Sequence, residues 1–158
     1  MSRRHPPAPD WHLHPQLAED THPVAALELS ELRLMDDANH PWLILVPRVE
    51  DATEWIDLDV AQQAVLSREI SLASRALKAE FRPHKLNVAA LGNLVPQLHI
   101  HVIARFEHDI AWPRPVWGTA SAKRHTAEEL IRQVDRLQAA LASAACSRST
   151  WRISSSAV

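Results

Sequence analysis

The sequence predicts a single α+β domain with a mainly antiparallel sheet, one long central helix and a C-terminal helix. Short apolar runs bounded by turn residues occur in a pair before residue 50 and again after residue 84. One apolar stripe of helical period separates these pairs and a second follows them. Strands and helices thus come in blocks rather than in the strict alternation of a parallel βα fold.

Taken in order, residues 1–13 are rich in proline, arginine and histidine and read as a flexible N-terminal arm. Residues 14–20 suit an edge strand or a short turn. Residues 27–34 form a strand weighted by Leu27, Leu29, Leu32 and Leu34. Asp36, Asp37, Asn39 and Pro41 make the next stretch a turn. The wholly apolar Trp42-Leu43-Ile44-Leu45-Val46, stopped by Pro47, fits a buried central strand, so the two runs predict an antiparallel hairpin. Asp57 or Asp59 caps a helix that runs to about Phe81 and is ended by Pro83. Leu66, Ile70, Ala73, Leu77 and Phe81 recur at helical spacing, leaving Arg68, Glu69, Arg75 and Lys78 to face water. Residues 85–91 are a strand, Gly92-Asn93 a turn, and 98–106 another strand. A tryptophan- and proline-rich loop at 112–118 follows. Thr126-Ala127-Glu128-Glu129 is a capping box that opens the last helix, with Leu130, Val134, Leu137 and Leu141 along its apolar stripe. Residues 146–158 read as a disordered tail, which leaves 14–145 as the one domain.

Composition narrows the function before any motif is read. The 158 residues are 46% hydrophobic and 23% charged, which suits one globular core. A net charge of −2 supplies no global basic field, so neither nucleic acid nor an anionic membrane is expected as partner. Any phosphate must be gripped locally. The single Cys146 excludes an intramolecular disulfide and a cysteine-rich zinc site, and fits a cytoplasmic location. No signal peptide is read at the N-terminus, and no apolar run is long enough for a bilayer. With only Gly92 and Gly118, a glycine-rich phosphate loop cannot be built.

Ten histidines turn attention to imidazole, and one placement stands out: Gln97-Leu98-His99-Ile100-His101-Val102-Ile103. Side chains alternate along a strand, so Gln97, His99 and His101 project from one face and Leu98, Ile100 and Val102 from the other. At a rise of about 3.3 Å per residue, the two imidazoles stand about 6–7 Å apart, close enough to share one phosphate. A neutral histidine can attack phosphorus, and the other, if protonated, can hold a phosphoryl oxygen or assist the leaving group. Gln97 can donate or accept hydrogen bonds only.

The segment from Gly92 to Ile103 resembles the signature of the histidine-triad superfamily of nucleotide hydrolases and transferases. Three histidines alternate there with apolar residues after a glycine-containing turn, and Gln97 takes the first place here. The resemblance runs from the hairpin near residue 27 to Phe106 and includes Val46-Pro47-Arg48. The segment Trp112 to Gly118 resembles a bacterial subgroup described as diadenosine-polyphosphate hydrolases. The resemblance implies a histidine-triad (HIT-like) fold and a homodimer. It also implies His99 as nucleophile on the α-phosphorus of a purine nucleotide or dinucleotide, its ring oriented by a backbone carbonyl. His101 would contact phosphate or leaving group, and Gln97 would position the phosphate or a neighbouring histidine. Asp36 falls near the ribose-binding position, and Gly92-Asn93 where a phosphate-contacting amide stands. No cofactor or metal is implied.

Two other readings are carried forward. Gln97, Leu94 and Trp42 stand where the family carries histidine, serine and histidine, which suits a nucleotide-binding sensor with little turnover. Alternatively His99 and His101 hold a metal, with Glu107 or the second His-x-His at His12 and His14 completing the set. Trp42 reads as core, Trp112 and Trp117 as packing residues or a cover for the nucleotide or an interface. Arg105 and Arg114 read as solvated, and His22, His84, His108 and His125 as surface or turn residues.

Overall fold

The computed structural model describes residues 10–146; the first nine residues of the expected arm and nearly all of the expected tail lie outside them. Five strands form one sheet in the order β1-β2-β3-β5-β4, with every neighbouring pair antiparallel. They are β1 (Thr21–Ala26), β2 (Ser30–Met35), β3 (Trp42–Pro47), β4 (Lys85–Ala89) and β5 (Ile100–Arg105). Helix α1 (Pro15–Asp20) precedes the sheet, α2 (Val60–Phe81) links β3 to β4, and α3 (Ala127–Cys146) follows β5. This is the α+β, HIT-like arrangement expected. Among the described residues, no helix is long and apolar enough to cross a membrane.

The central strands β3 and β5 are buried on both faces. Leu43 and Leu45 of β3 and Ile100 and Val102 of β5 join Leu66, Ala73 and Leu77 of α2 and Leu137 and Leu141 of α3 in the larger core. On the opposite face, Trp42, Ile44 and Val46 of β3 and Ile103 of β5 meet Leu17, Val95, Ala111 and Val116, with Trp11, Leu13 and Trp117 at the margin. Central strands covered on both sides read as continuous apolar runs, as β3 does. Asp59 caps α2, accepting from Gln62 N–H at 2.7 Å, and Thr126 with Glu129 opens α3 as a reciprocal capping pair.

Several expectations are corrected. Residues 15–20 are a helix, started by Pro15 and capped by the His14 ring, which accepts from Gln16 N–H at 3.1 Å. Residues 21–26 are a strand that carries no alternation signal. Pro23 has no N–H to donate, so β1 stands at the sheet edge, and its register slips between Pro23 and Ala25. The next strand begins at Ser30, because residues 27–29 make the turn in which Leu27 N–H donates to Ser30 C=O. Part of the arm is bound as well: Trp11 and Leu13 pack against the second core.

Glu69 is a further correction. It is 5% exposed, and its carboxylate accepts from Leu29 N–H at 2.7 Å and Ser30 N–H at 3.1 Å. The β1–β2 turn leaves these donors without strand partners, and a buried N–H without an acceptor costs about 1–3 kcal/mol. Glu69→Ala is therefore expected to destabilise the fold by about 1–3 kcal/mol. In urea unfolding the midpoint falls at unchanged slope, while Glu69→Gln, which keeps a carbonyl acceptor, retains most of the stability. Equal losses in the two variants would show that the bond is not what matters.

Candidate active site

β5 and the residues just before it carry the histidines on the second face of the sheet. Both rings are buried, His99 at 7% and His101 at 4% exposure, and their centroids lie 4.8 Å apart at 76°. Leu98, Ile100 and Val102 point into the helix-side core, so the expected alternation holds. Buried imidazoles need partners, and those partners determine which nitrogen carries the proton.

His99 Nδ1 lies 2.6 Å from the backbone carbonyl of Gln97. A carbonyl only accepts, so Nδ1 carries the hydrogen and Nε2 presents a bare lone pair. Among the described residues Nε2 has no protein partner. His101 has the opposite arrangement. Its Nδ1 receives the indole N–H of Trp42 at 3.0 Å. An indole only donates, so His101 Nδ1 is bare and Nε2 carries the hydrogen. Burial first, and then the neighbouring His99, push the His101 imidazolium down to about 3. One ring is a lone-pair donor and the other a neutral hydrogen-bond donor.

Gln97 shares their face, but its amide is committed elsewhere. Its Oε1 accepts from His14 N–H and its Nε2 donates to His12 C=O, each at 2.9 Å. The residue ties the N-terminal segment to the sheet, while its carbonyl orients His99. His12 and His14 meet the site through their backbones.

Next to His101, Trp42 and Trp117 line a cavity of about 290 Å³ with Met35, Val116, Asp36 and Arg124. Trp117 stands edge-on to His101 at 5.2 Å and to Trp42 at 5.7 Å. Asp36 lies on the cavity wall, where it accepts from His125 N–H at 2.9 Å and pairs with Arg124 at 3.2 Å. Burial alone would raise its pKa, but the His125 backbone and ring, with His22, outweigh that and hold the carboxyl below its ordinary range. His125 is thus a buried partner of Asp36, not a surface ring. Gly92 adopts φ +66° in the loop before β5, and Asn93 beside it is exposed. Neither lines this cavity.

Arg105 is the other correction: it is 1% exposed rather than solvated. It pairs with Asp109 at 2.8 Å and donates to Asn87 Oδ1 at 2.7 Å and Arg114 C=O at 2.8 Å. Asp109 in turn accepts from Phe106 N–H and Ala111 N–H. These bonds shape the loop that brings Trp117 over His101. No sequence signal separates such an arginine from a solvated one, because its partners, the Asp109 carboxylate, the Asn87 side-chain oxygen and the Arg114 carbonyl, gather around it only when the loop folds against β4. Trp42 reads as core for a similar reason. Its reach to His101 depends on the register that pairs Trp42 with Ile103 and Ile44 with His101.

Among the described residues, no group of three or more His, Cys, Asp or Glu side chains is placed to hold a metal. Glu107 pairs with His84 at 3.3 Å instead.

With this geometry in view, comparison with known proteins is decisive at the family level. The model of the HIT domain matches residues 16–108, more than half of the chain. The chain belongs to the HIT domain family. Members of the family bind nucleotides and are commonly nucleotide hydrolases. The chain is 53% identical to a histidine triad protein of Bradyrhizobium japonicum, with a TM-score of 0.82 over 84% of this chain and 99% of that one. A histidine triad protein of Marinobacter aquaeolei VT8 matches at 43% identity and TM-score 0.82, over 84% of this chain and 97% of that one. A HIT protein of Sinorhizobium meliloti 1021 matches at 42% and 0.80, over 82% and 96%. No curated protein matches the chain.

The buried neutral His101 makes the HIT domain acid-sensitive. Its folded pKa lies below the ordinary value near 6.5, so the unfolded chain takes the proton first and stability is lost as pH falls below about 6.5. Between pH 6 and 4, one such proton contributes about 1.4 kcal/mol per pH unit to the slope. Urea midpoints measured across this range are expected to fall less steeply in His101→Leu than in the parent. Parallel slopes would place the acid sensitivity elsewhere.

Proposed function

We propose that this HIT domain is a nucleotide hydrolase or transferase acting at the α-phosphate of a purine nucleotide derivative through a nucleotidyl-His99 intermediate. The observation that supports it most is the His99 Nδ1–H bond to Gln97 C=O, which leaves Nε2 bare and oriented. Nε2 attacks phosphorus while the bond to the leaving group breaks, and the ring becomes cationic as the new P–N bond forms. The Nδ1–H donor then becomes charge-assisted, which strengthens its bond to the carbonyl as the intermediate forms. His101 Nε2–H donates to a non-bridging oxygen. Water or another acceptor then attacks the intermediate and returns His99 to its neutral form. A metal or cofactor has no part in this scheme.

The cavity beside Trp42 and Trp117 suits the nucleoside: its aromatic walls offer faces and edges to a base, and Asp36 offers carboxylate oxygens to ribose hydroxyls. Gly92 and Asn93 are proposed to contact phosphate when the loop before β5 meets substrate. Dinucleoside polyphosphates and nucleoside phosphoramidates are the leading substrates, the first favoured by the likeness of residues 112–118 to the diadenosine-polyphosphate hydrolases. The single Cys146 suits a cytoplasmic setting.

Intact-mass analysis after mixing with diadenosine tetraphosphate or adenosine phosphoramidate and rapid quenching tests the reading. A nucleotidyl adduct is expected on the parent and none on His99→Ala, with turnover reduced at least about 10³-fold. Nucleotide binding with neither adduct nor product would replace this reading with the sensor, which the engaged Gln97 amide favours.

A homodimer is proposed through β4, an edge strand whose Val88 is half-exposed and which leads to exposed Leu91 and Leu94. Light scattering is expected to give twice the chain mass for the parent and the monomer mass for Val88→Lys. A parent monomer would reject the interface.

A further inference from the structure

Trp42 is more than a core residue, because its indole meets a nitrogen of a site histidine. On the sheet, the ladder neighbours of His101 are Ile44 and Ala89, neither of which can hydrogen-bond through its side chain. The rings against it are Trp42 at 5.4 Å, Trp117 at 5.2 Å and His99 at 4.8 Å. Among these only the Trp42 N–H bonds to it, at 3.0 Å on Nδ1. The one titratable group acting on the ring among the described residues is His99. Among the described residues no carboxylate acts on it to favour a second proton.

We propose that Trp42 is a positioning residue that holds His101 as a neutral Nε2–H donor and so restricts the site to leaving groups that depart without a proton. The leaving-group part rests on the nucleotidyl-transfer reading above; the tautomer part does not. A second proton on His101 would have to enter at Nδ1, where the Trp42 N–H already points. Protonation there sets two donors against each other in a buried site, so the bond is lost and the charge is left without a partner. The depressed His101 pKa follows from the same burial.

The consequence concerns bond type. When His99 Nε2 attacks a phosphoanhydride, the P–O bond breaks and its electron pair stays on a phosphate oxygen, a weak base at neutral pH. No acid is required. When it attacks a phosphoramidate, the P–N pair would leave as a strongly basic amide ion unless the nitrogen first takes a proton. Neutral His101 could supply that proton only by becoming an imidazolate, and Gln97 has no acid to give. Between the two proposed substrate classes, the site therefore favours anhydrides such as dinucleoside polyphosphates.

Two measurements on the full chain test this. In ¹⁵N-labelled parent protein, His101 is expected to show a bare Nδ1 and a protonated Nε2, unchanged between pH 5 and 8. In Trp42→Phe, which keeps an aromatic ring but lacks the N–H, Nδ1 should gain a proton in part and the ring should titrate at higher pH. A parent His101 protonated at Nδ1, or titrating between pH 5 and 8, overturns the proposal. In kinetics, the parent is expected to prefer diadenosine tetraphosphate to adenosine phosphoramidate by at least about 100-fold in kcat/KM, the scale of a missing general acid. Trp42→Phe should narrow that preference. Phosphoramidate cleavage as fast as the anhydride overturns the proposal. Turnover of neither substrate would end the nucleotidyl-transfer reading, and the ¹⁵N spectra would still decide the state of His101.

Discussion

The site depends on β5 being buried on both faces by unlike material. On one face, Leu98, Ile100 and Val102 meet two helices, which fill that side with aliphatic carbon. On the other, His99 and His101 meet a thinner cover of indoles, loop residues and the N-terminal segment. Period-two alternation makes the two faces inseparable, because shifting the strand by one residue would drive both imidazoles into the helices. Packing of the larger core thus holds the histidines in register.

Once placed, the rings are differentiated by single hydrogen bonds of opposite sense. A carbonyl takes the Nδ1 proton of His99, and an indole fills the Nδ1 lone pair of His101. Neither bond is strong alone, but in a buried site an unsatisfied alternative is costly, so each ring is held in one tautomer. The same two residue types acquire a bare nitrogen and a donor hydrogen, side by side. This division of roles needs no charged histidine in the resting protein.

The surrounding polar groups hold this pair in shape. Arg105 and Asp109 form a buried ion pair that also satisfies the loop amides and the Arg114 carbonyl, which keeps Trp117 over His101. Gln97 pins residues 12–14 across the other side of the histidines through both ends of its amide. Glu69, remote from the site, does comparable work for the turn that starts β2. Each is a buried or half-buried polar side chain that answers backbone donors or acceptors lacking sheet partners.

The sequence by itself determined the α+β class, the β2–β3 hairpin, both long helices with their caps, and the alternation that puts His99 and His101 on one face. These follow from local periodicity and capping chemistry, which need only neighbouring residues. The edge strand with Pro23 escaped it, because its ladder is made by a partner strand and its own pattern is weak. The tertiary structure alone decided the burial of Glu69 and Arg105, the turning of the Gln97 amide away from the histidines, and the meeting of Trp42 with His101. For Glu69, Gln97 and Trp42 the partner lies far along the chain, 59 positions away in the case of Trp42 and His101, and for Arg105 the near partners meet it only through the fold of the loop after β5. Such contacts are set by strand register and helix docking, and neither is written in any local run of residues.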